Sequence, residues 1–175
     1  MGRSKPPLRK QTSHELPLQP LTSADCEAMA QLHQSSFPRG WSAQDLRNLL
    51  ERPSAHAVGL VQPKDVERED SLTEKCLLGF CVADRVGDEA EILTLVIHPD
   101  QRHRGLGSLL LTLFLEDMQN FAVRAVFLEV AADNFAAIAL YEKHHFQVAG
   151  RRNLYYERTG AFVDALTMQR RFSAF

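Results

Sequence analysis

Apolar and polar positions along the chain switch repeatedly between a two-residue and a three-to-four-residue rhythm, and each switch marks an element. Leu16–Leu21 alternates, which predicts a short strand. The stretch LTSADCEAMAQLHQSSF then predicts a helix, with Thr22 or Ser23 as N-cap and Ala28, Leu32 and Phe37 as its apolar stripe; Pro38-Arg39-Gly40 breaks it. Ser42 opens a second helix with Asp45 at the capping-box position and Leu46, Leu49 and Leu50 facing inward. His56–Val61 reads as a strand, and the charged segment Gln62–Thr73, which holds Pro63, as a loop. Lys75–Val86 and Ala90–Ile97 read as strands about a Gly87-Asp88 hairpin turn. Helical periodicity runs from Gly105 to about Asn120, Ala125–Ala131 is an apolar β-rich run, and Asp133–His144 is helical. Val148–Tyr156 and Phe162–Arg171 close the chain as strands, with Gly160 in their connection. This order predicts an α/β fold, a mixed sheet sandwiched by helices.

Length changes that picture little: 175 residues suit one domain, here read as 15–175, preceded by a basic, solvated tail over residues 1–14. A formal net charge of −2 gives no global reason to expect a nucleic-acid or anionic-membrane partner. No apolar run approaches the ~18 residues of a membrane span. The N-terminus lacks the apolar core of a signal peptide, and Pro6 stands where a myristoylation signal needs Ser or Thr. A cytoplasmic protein is expected. Cys26, Cys76 and Cys81 do not form a disulfide framework, and the last two fall on opposite faces of one strand. No Cys/His spacing suits a metal, and the adjacent pair His144-His145 is poor geometry for one. Unpaired thiols and no metal are expected.

The sharpest chemical feature is Arg102-His103-Arg104-Gly105-Leu106-Gly107-Ser108, between a strand and a strong helix. Glycines let the backbone approach a ligand closely, and a helix N-terminus with free N–H groups is an anion site. The three basic side chains add charge beside it. A P-loop reading fails because Gly107 is followed by Ser108-Leu109 rather than by Lys, and a dinucleotide fingerprint would need glycine where Leu110 stands. A plain glycine turn before a helix is the bland alternative.

With its surroundings, this loop resembles motif A of the GNAT superfamily of N-acetyltransferases, whose pattern is Arg/Gln-x-x-Gly-x-Gly/Ala: AEILTLVIHPDQRHRGLGSLLL carries it here. Downstream, FLEVAADNFAAIALYEKHHF is similar to the next family motif. GRRNLYY, VDALTM and FPRGWS resemble the RimI-type branch, which acetylates N-terminal α-amines of proteins, and the similarity runs from about residue 18 to 172. The resemblance implies a seven-stranded, mostly antiparallel GNAT sheet flanked by about four helices, and acetyl-CoA as co-substrate without a metal. It assigns His103, Arg104, Gly105, Leu106, Gly107 and Ser108 to the cofactor's pyrophosphate, and the backbone of Leu95, Val96 and Ile97 to the pantetheine arm. One of those strand amides would also polarise the thioester carbonyl.

Glu129 alternates with Val126, Leu128 and Val130 and is the sole ionisable group of its run. Desolvation in a central strand would favour its protonated form, which suits a general base, whereas an arginine partner would make it structural. Tyr141 follows Asn134 by seven residues, on one helix face. The family likeness makes Asn134 a cofactor contact and Tyr141 the acid for the departing thiolate; an N-cap and a core tyrosine are the bland readings. The family usually has glycine where His145 stands, and a left-handed backbone there would cost about 1 kcal/mol.

The implied acceptor is a peptide N-terminus between the first two helices and the last hairpin, with Phe37, Trp41, Arg152, Tyr155 and Tyr156 as candidate walls, or as packing. By resemblance it is the N-terminal alanine of a small-subunit ribosomal protein, acetylated by direct transfer in a ternary complex, since none of the cysteines falls in the motifs. A small-molecule amine acetyltransferase and a catalytically idle acyl-CoA-binding module are the rival readings.

Overall fold

The computed structural model describes residues 16–63, 75–158 and 161–173. The basic segment 1–14, residues 64–73 of the charged loop and Gly160 lie outside the described residues. The element order is β1 (Leu18–Pro20), α1 (Cys26–Ser36), α2 (Ala43–Leu50), β2 (Ala55–Pro63), β3 (Lys75–Val86), β4 (Glu89–Ile97), α3 (Leu106–Asn120), β5 (Ala125–Ala131), α4 (Phe135–Lys143), β6 (Gln147–Arg158) and β7 (Ala161–Arg171). They form a seven-stranded sheet in the order β1-β2-β3-β4-β5-β7-β6. Every neighbouring pair is antiparallel except β4 and β5.

Helices cover both faces. On one, α3 and α4 bury Leu110, Leu111, Phe114, Met118 and Tyr141 against Val58, Cys81, Ile92, Val126 and Leu128. On the other, α1 and α2 bury Met29, Leu32 and Leu46 against Phe80, Val82 and Val96. Cys81 and Cys26 are buried and Cys76 is exposed. The expectation that Cys76 and Cys81 fall on opposite faces is corrected: Leu78 has no partner in β2 between Leu60↔Gly79 and Val61↔Leu77, and this extra residue reverses the alternation across it, so both cysteines fall on the α3 side.

Local chemistry explains most boundaries. Thr22 caps a short 3-10 turn with Asp25 as its reciprocal partner, and α1 follows. Ser42 and Asp45 form the capping box of α2. The apolar stripe expected of α1 is corrected: the buried face is Cys26, Met29, Ala30, Leu32 and His33, while Phe37 is exposed. Phe37 has left the helix, with φ −130° and ψ 139°, because the ring of Pro38 disfavours helical backbone at the preceding residue. Gln62 and Pro63 belong to β2 rather than to the loop.

α3 and α4 end alike. The N–H of Val123 reaches the Met118 carbonyl and that of Ala122 the Gln119 carbonyl; Phe146 and His145 bond Tyr141 and Glu142 in the same pattern. This is the Schellman arrangement, which puts the penultimate residue in left-handed backbone, and Ala122 (φ 58°) and His145 (φ 64°) both adopt it. Neither is glycine, so each carries steric cost. Ala122→Gly and His145→Gly should each stabilise by ~0.5–1 kcal/mol after the extra chain entropy of glycine, a gain of about 1–4 °C in Tm by thermal unfolding.

One irregularity shapes the site. Between the pairs Val82↔Thr94 and Ala83↔Ile92, Leu93 has no opposite number in β3 and forms a bulge. An inserted residue reverses which face each later side chain meets. Accordingly Ile92 packs on the α3 side, whereas Val96 packs on the α1–α2 side and Leu95 and Ile97 take over the α3 side. The parallel ladder to β5 covers only Glu89↔Ala125 to Ile92↔Leu128. From the bulge onward the two strands part, and the unzipped β4 segment contains Leu95, Val96 and Ile97.

Candidate functional site

The opening between β4 and β5 leads to the N-terminus of α3. After β4, Pro99–Gln101 forms a 3-10 turn capped by His98, and His103 (φ 60°) and Gly105 (φ 80°) both take left-handed backbone. Gly105 is the N-cap of α3, and the first bond of the helix runs from Leu109 N–H to its carbonyl. The amides of Leu106, Gly107 and Ser108 precede that bond and therefore have no helical acceptor. With the helix dipole behind them they make a pocket for anionic oxygens.

The basic side chains divide their work. Arg102 is a brace: its Nε donates to the Ile97 carbonyl at 3.2 Å and its Nη2 to Ser36 Oγ at 3.1 Å, joining the end of β4 to the end of α1. Arg104 donates to Gln101 Oε1 at 3.2 Å. Ser108 Oγ lies 2.8 Å from His144 Nε2, which ties the loop to the exit of α4. Burial and the nearby Arg170, Lys143 and His145 charges lower the His144 pKa, so a neutral ring is favoured in that contact.

The fold does not demand glycine at 107. A Cβ there would meet Leu140 Cδ2 at 3.5 Å and Ile97 Cγ1 at 3.7 Å, ordinary contact distances. That smooth space, between the unzipped end of β4 and α4, suits an extended diphosphate-bearing chain, and the residues present fit the CoA moiety on this ground.

Glu129 is the first residue of β5 past the last parallel pair, at the edge of the opening. It is not isolated among apolar groups, as the alternation of its strand implied. Its Oε1 accepts from Arg152 Nη1 at 2.9 Å, with the carboxylate side chain 22% and the guanidinium 57% exposed. The same guanidinium lies 4.3 Å over the Tyr155 ring. This pairing, chiefly the hydrogen bond to Glu129, raises the Arg152 pKa. Thus Glu129, Arg152 and Tyr155 come together, which the sequence did not indicate; the side chain of Tyr156 lies outside the described residues. Arg151 pairs with Asp164 at 2.6 Å across the same hairpin.

Tyr141 is buried in the α3–α4 core with its ring centroid 5.7 Å from that of Phe146. Asn134 caps α4, its side chain accepting from the Ala137 N–H at 3.3 Å. Both bland readings therefore hold structurally, and neither conflicts with a role at the opening. Phe37 and Trp41 form a second group around His33, whose ring centroid lies 4.5 Å from the first and 4.7 Å from the second. Sequence reasoning missed His33, the Leu93 bulge and the Ser108–His144 link. A separate cavity of about 330 Å³, lined by residues including Leu21, Arg47, Leu50 and Ala57, shares no residue with this site. Among the described residues no cluster of His, Cys, Asp or Glu suits a metal, and no helix is long and apolar enough to cross a membrane.

Comparison with known proteins agrees with the geometry. The sequence profile of the acetyltransferase (GNAT) family matches residues 26–146. The N-alpha-acetyltransferase RimI of Mycobacterium tuberculosis is 33% identical over 157 residues, 86% of this chain and 89% of that protein. The [ribosomal protein bS18]-alanine N-acetyltransferase of Escherichia coli K12 is 37% identical over 92 residues. That alignment spans 53% of this chain and 62% of the length of the E. coli protein. The crystal structure of the ribosomal-protein-S18-alanine N-acetyltransferase from E. coli superposes with a TM-score of 0.79 and 27% identity, covering 91% of this chain and 95% of that one. A parted β4–β5 pair, an anion-ready loop at the head of α3 and a match over most of the sequence lead to one conclusion: this chain belongs to the acetyltransferase (GNAT) family.

Proposed function

We propose that this protein transfers the acetyl group of acetyl-CoA to the free α-amine of a protein N-terminus, with the N-terminal alanine of a small-subunit ribosomal protein as the best specific candidate. The observation that carries the reading is the position of Glu129, the first residue of β5 past the last parallel pair, where β4 parts from β5 before running on to the α3 anion loop. The α-amine is suggested by the name of the M. tuberculosis relative, and the specific acceptor by that of the E. coli one.

In this reading His103, Arg104, Gly105, Leu106, Gly107 and Ser108 hold the diphosphate, chiefly through backbone amides, and Asn134 adds a contact at the head of α4. The free edge of Leu95, Val96 and Ile97 pairs with the pantetheine amides, and one of its N–H groups stabilises negative charge on the carbonyl oxygen. Glu129 takes the proton of the acceptor ammonium, directly or through water, and the freed amine lone pair attacks the thioester carbon. The C–S bond breaks, and Tyr141 gives its proton to the departing sulfur. The second proton shed by the acylated nitrogen restores the tyrosine, while the proton held on Glu129 passes to solvent. Phe37, Trp41, Arg152, Tyr155 and Tyr156 line the acceptor's approach.

The test is acetyl-CoA-dependent release of free thiol with a panel of acceptors: an alanine-first peptide, a peptide with a blocked N-terminus bearing lysine, and free polyamines. Turnover confined to free α-amino peptides is expected. Turnover with polyamines alone would move the assignment to small-molecule chemistry, and acetyl-CoA binding without any turnover would make the chain a binding module.

A further inference from the structure

His33 is a buried imidazole that the mechanism above leaves unused. It sits near the end of α1, 4% exposed. Its Nδ1 accepts the Trp41 backbone N–H at 2.9 Å, so the ring proton is on Nε2, which donates to Thr94 Oγ1 of β4 at 3.3 Å. The ring is stacked on the Trp41 indole with 9° between planes and is tilted 35° to Phe37. We infer that His33 is a positioning residue for the acceptor: it registers the Phe37–Ser42 loop, and the aromatic rings it carries, against the bulged end of β4. The inference rests on reading Phe37 and Trp41 as acceptor walls.

Three observations favour this over a plain core role. A polar ring here is costly to bury, and burial alone pushes its pKa down to about 4, so it stays neutral near neutral pH. An apolar side chain would fill the same space without that cost. Both ring nitrogens are committed, one to the loop and one to β4. The loop also has no slack: Gln34 Nε2 donates to the Trp41 carbonyl at 3.2 Å, and a Cβ on Gly40 would lie 2.4 Å from Gln34 Cα. Loop and strand are thus locked to each other through one side chain, on the strand segment that would hold the thioester.

The test compares wild type, His33→Phe and His33→Asn in steady-state kinetics with whichever amine wild type acetylates, alongside emission from Trp41, the chain's single tryptophan. His33→Phe keeps an aromatic filler but strands the Trp41 N–H. It should raise acceptor KM about tenfold, leave acetyl-CoA KM and kcat within about twofold, and shift Trp41 emission. His33→Asn, whose amide oxygen can stand in for Nδ1, should recover most of the acceptor KM. An unchanged acceptor KM, or both KM values rising together with a fall in Tm, would overturn the inference. Turnover of polyamines but not peptides would sink the N-terminal reading while the same KM split still judged His33. Should wild type turn over nothing, unchanged Trp41 emission in His33→Phe would still overturn it.

Discussion

Glu129→Gln should lower kcat by about 10²–10³-fold with acetyl-CoA KM unchanged, the loss expected when a positioned proton acceptor is removed. The substitution preserves shape and leaves the backbone of β5 in its ladder with β7, so the fold has little reason to respond. It does remove the ionic part of the contact with Arg152. That contact is half open to solvent, where screening leaves an ion pair too weak to account for the kinetic effect. Arg152→Gln separates the alternatives. If Glu129 merely anchors the arginine, both variants lose the same small stability and neither loses chemistry. If it is the base, only Glu129→Gln collapses kcat. Equal kcat in Glu129→Gln and wild type at neutral pH would remove the residue from the mechanism.

Gly107→Ala should weaken acetyl-CoA binding by about tenfold or more, read as KM or by calorimetry, while thermal stability holds or rises. The sign on stability follows from two observations. The new methyl meets Leu140 and Ile97 at ordinary distances, and alanine is favoured over glycine within a helix by ~1 kcal/mol. The loss of binding follows from where the methyl sits, beside the parted end of β4 where an extended ligand must pass. Gly105 behaves in the opposite sense. Its φ of 80° is a backbone requirement, and a Cβ there would meet no atom within 4 Å, so alanine strains the loop itself rather than crowding a neighbour. An unaltered affinity in Gly107→Ala would show that the ligand does not run along this face.

Much of this architecture was legible beforehand because its signals are local. β3 and β5 begin and end where their apolar runs do, and Ser42 and Asp45 announce α2 through a reciprocal hydrogen bond three residues apart. The loop at 102–108 was legible because glycine at a helix entrance has a narrow physical meaning. What escaped was decided by partners distant in sequence. EILTLVI is apolar at nearly every position, so nothing in it marks Leu93 as the extra residue, and the reversal of faces after it depends on the register with β3. His33 reads as one more polar residue in QLHQSS; its burial is set by Thr94 and by a loop that folds back from residue 41. Glu129 looked desolvated along its own strand because Arg152 arrives from β6. The stripe through Phe37 failed for a nearer reason, since Pro38 forbids the helix to continue.

The short run of parallel pairing has a consequence for how the chain assembles. Within the first half of the sheet, β1 to β4 pair with their sequence neighbours, and within the second half β5 to β7 pair among themselves. The joins within each group differ in span: β3 turns directly into β4 and β6 into β7, whereas β1 reaches β2 across α1 and α2, and β5 reaches β7 across α4 and β6. The two plates of sheet meet at one joint, Glu89–Ile92 against Ala125–Leu128, closed across the whole of α3. The two halves of the sheet are therefore held edge to edge by four residue pairs alone, and the cleft borders that short seam.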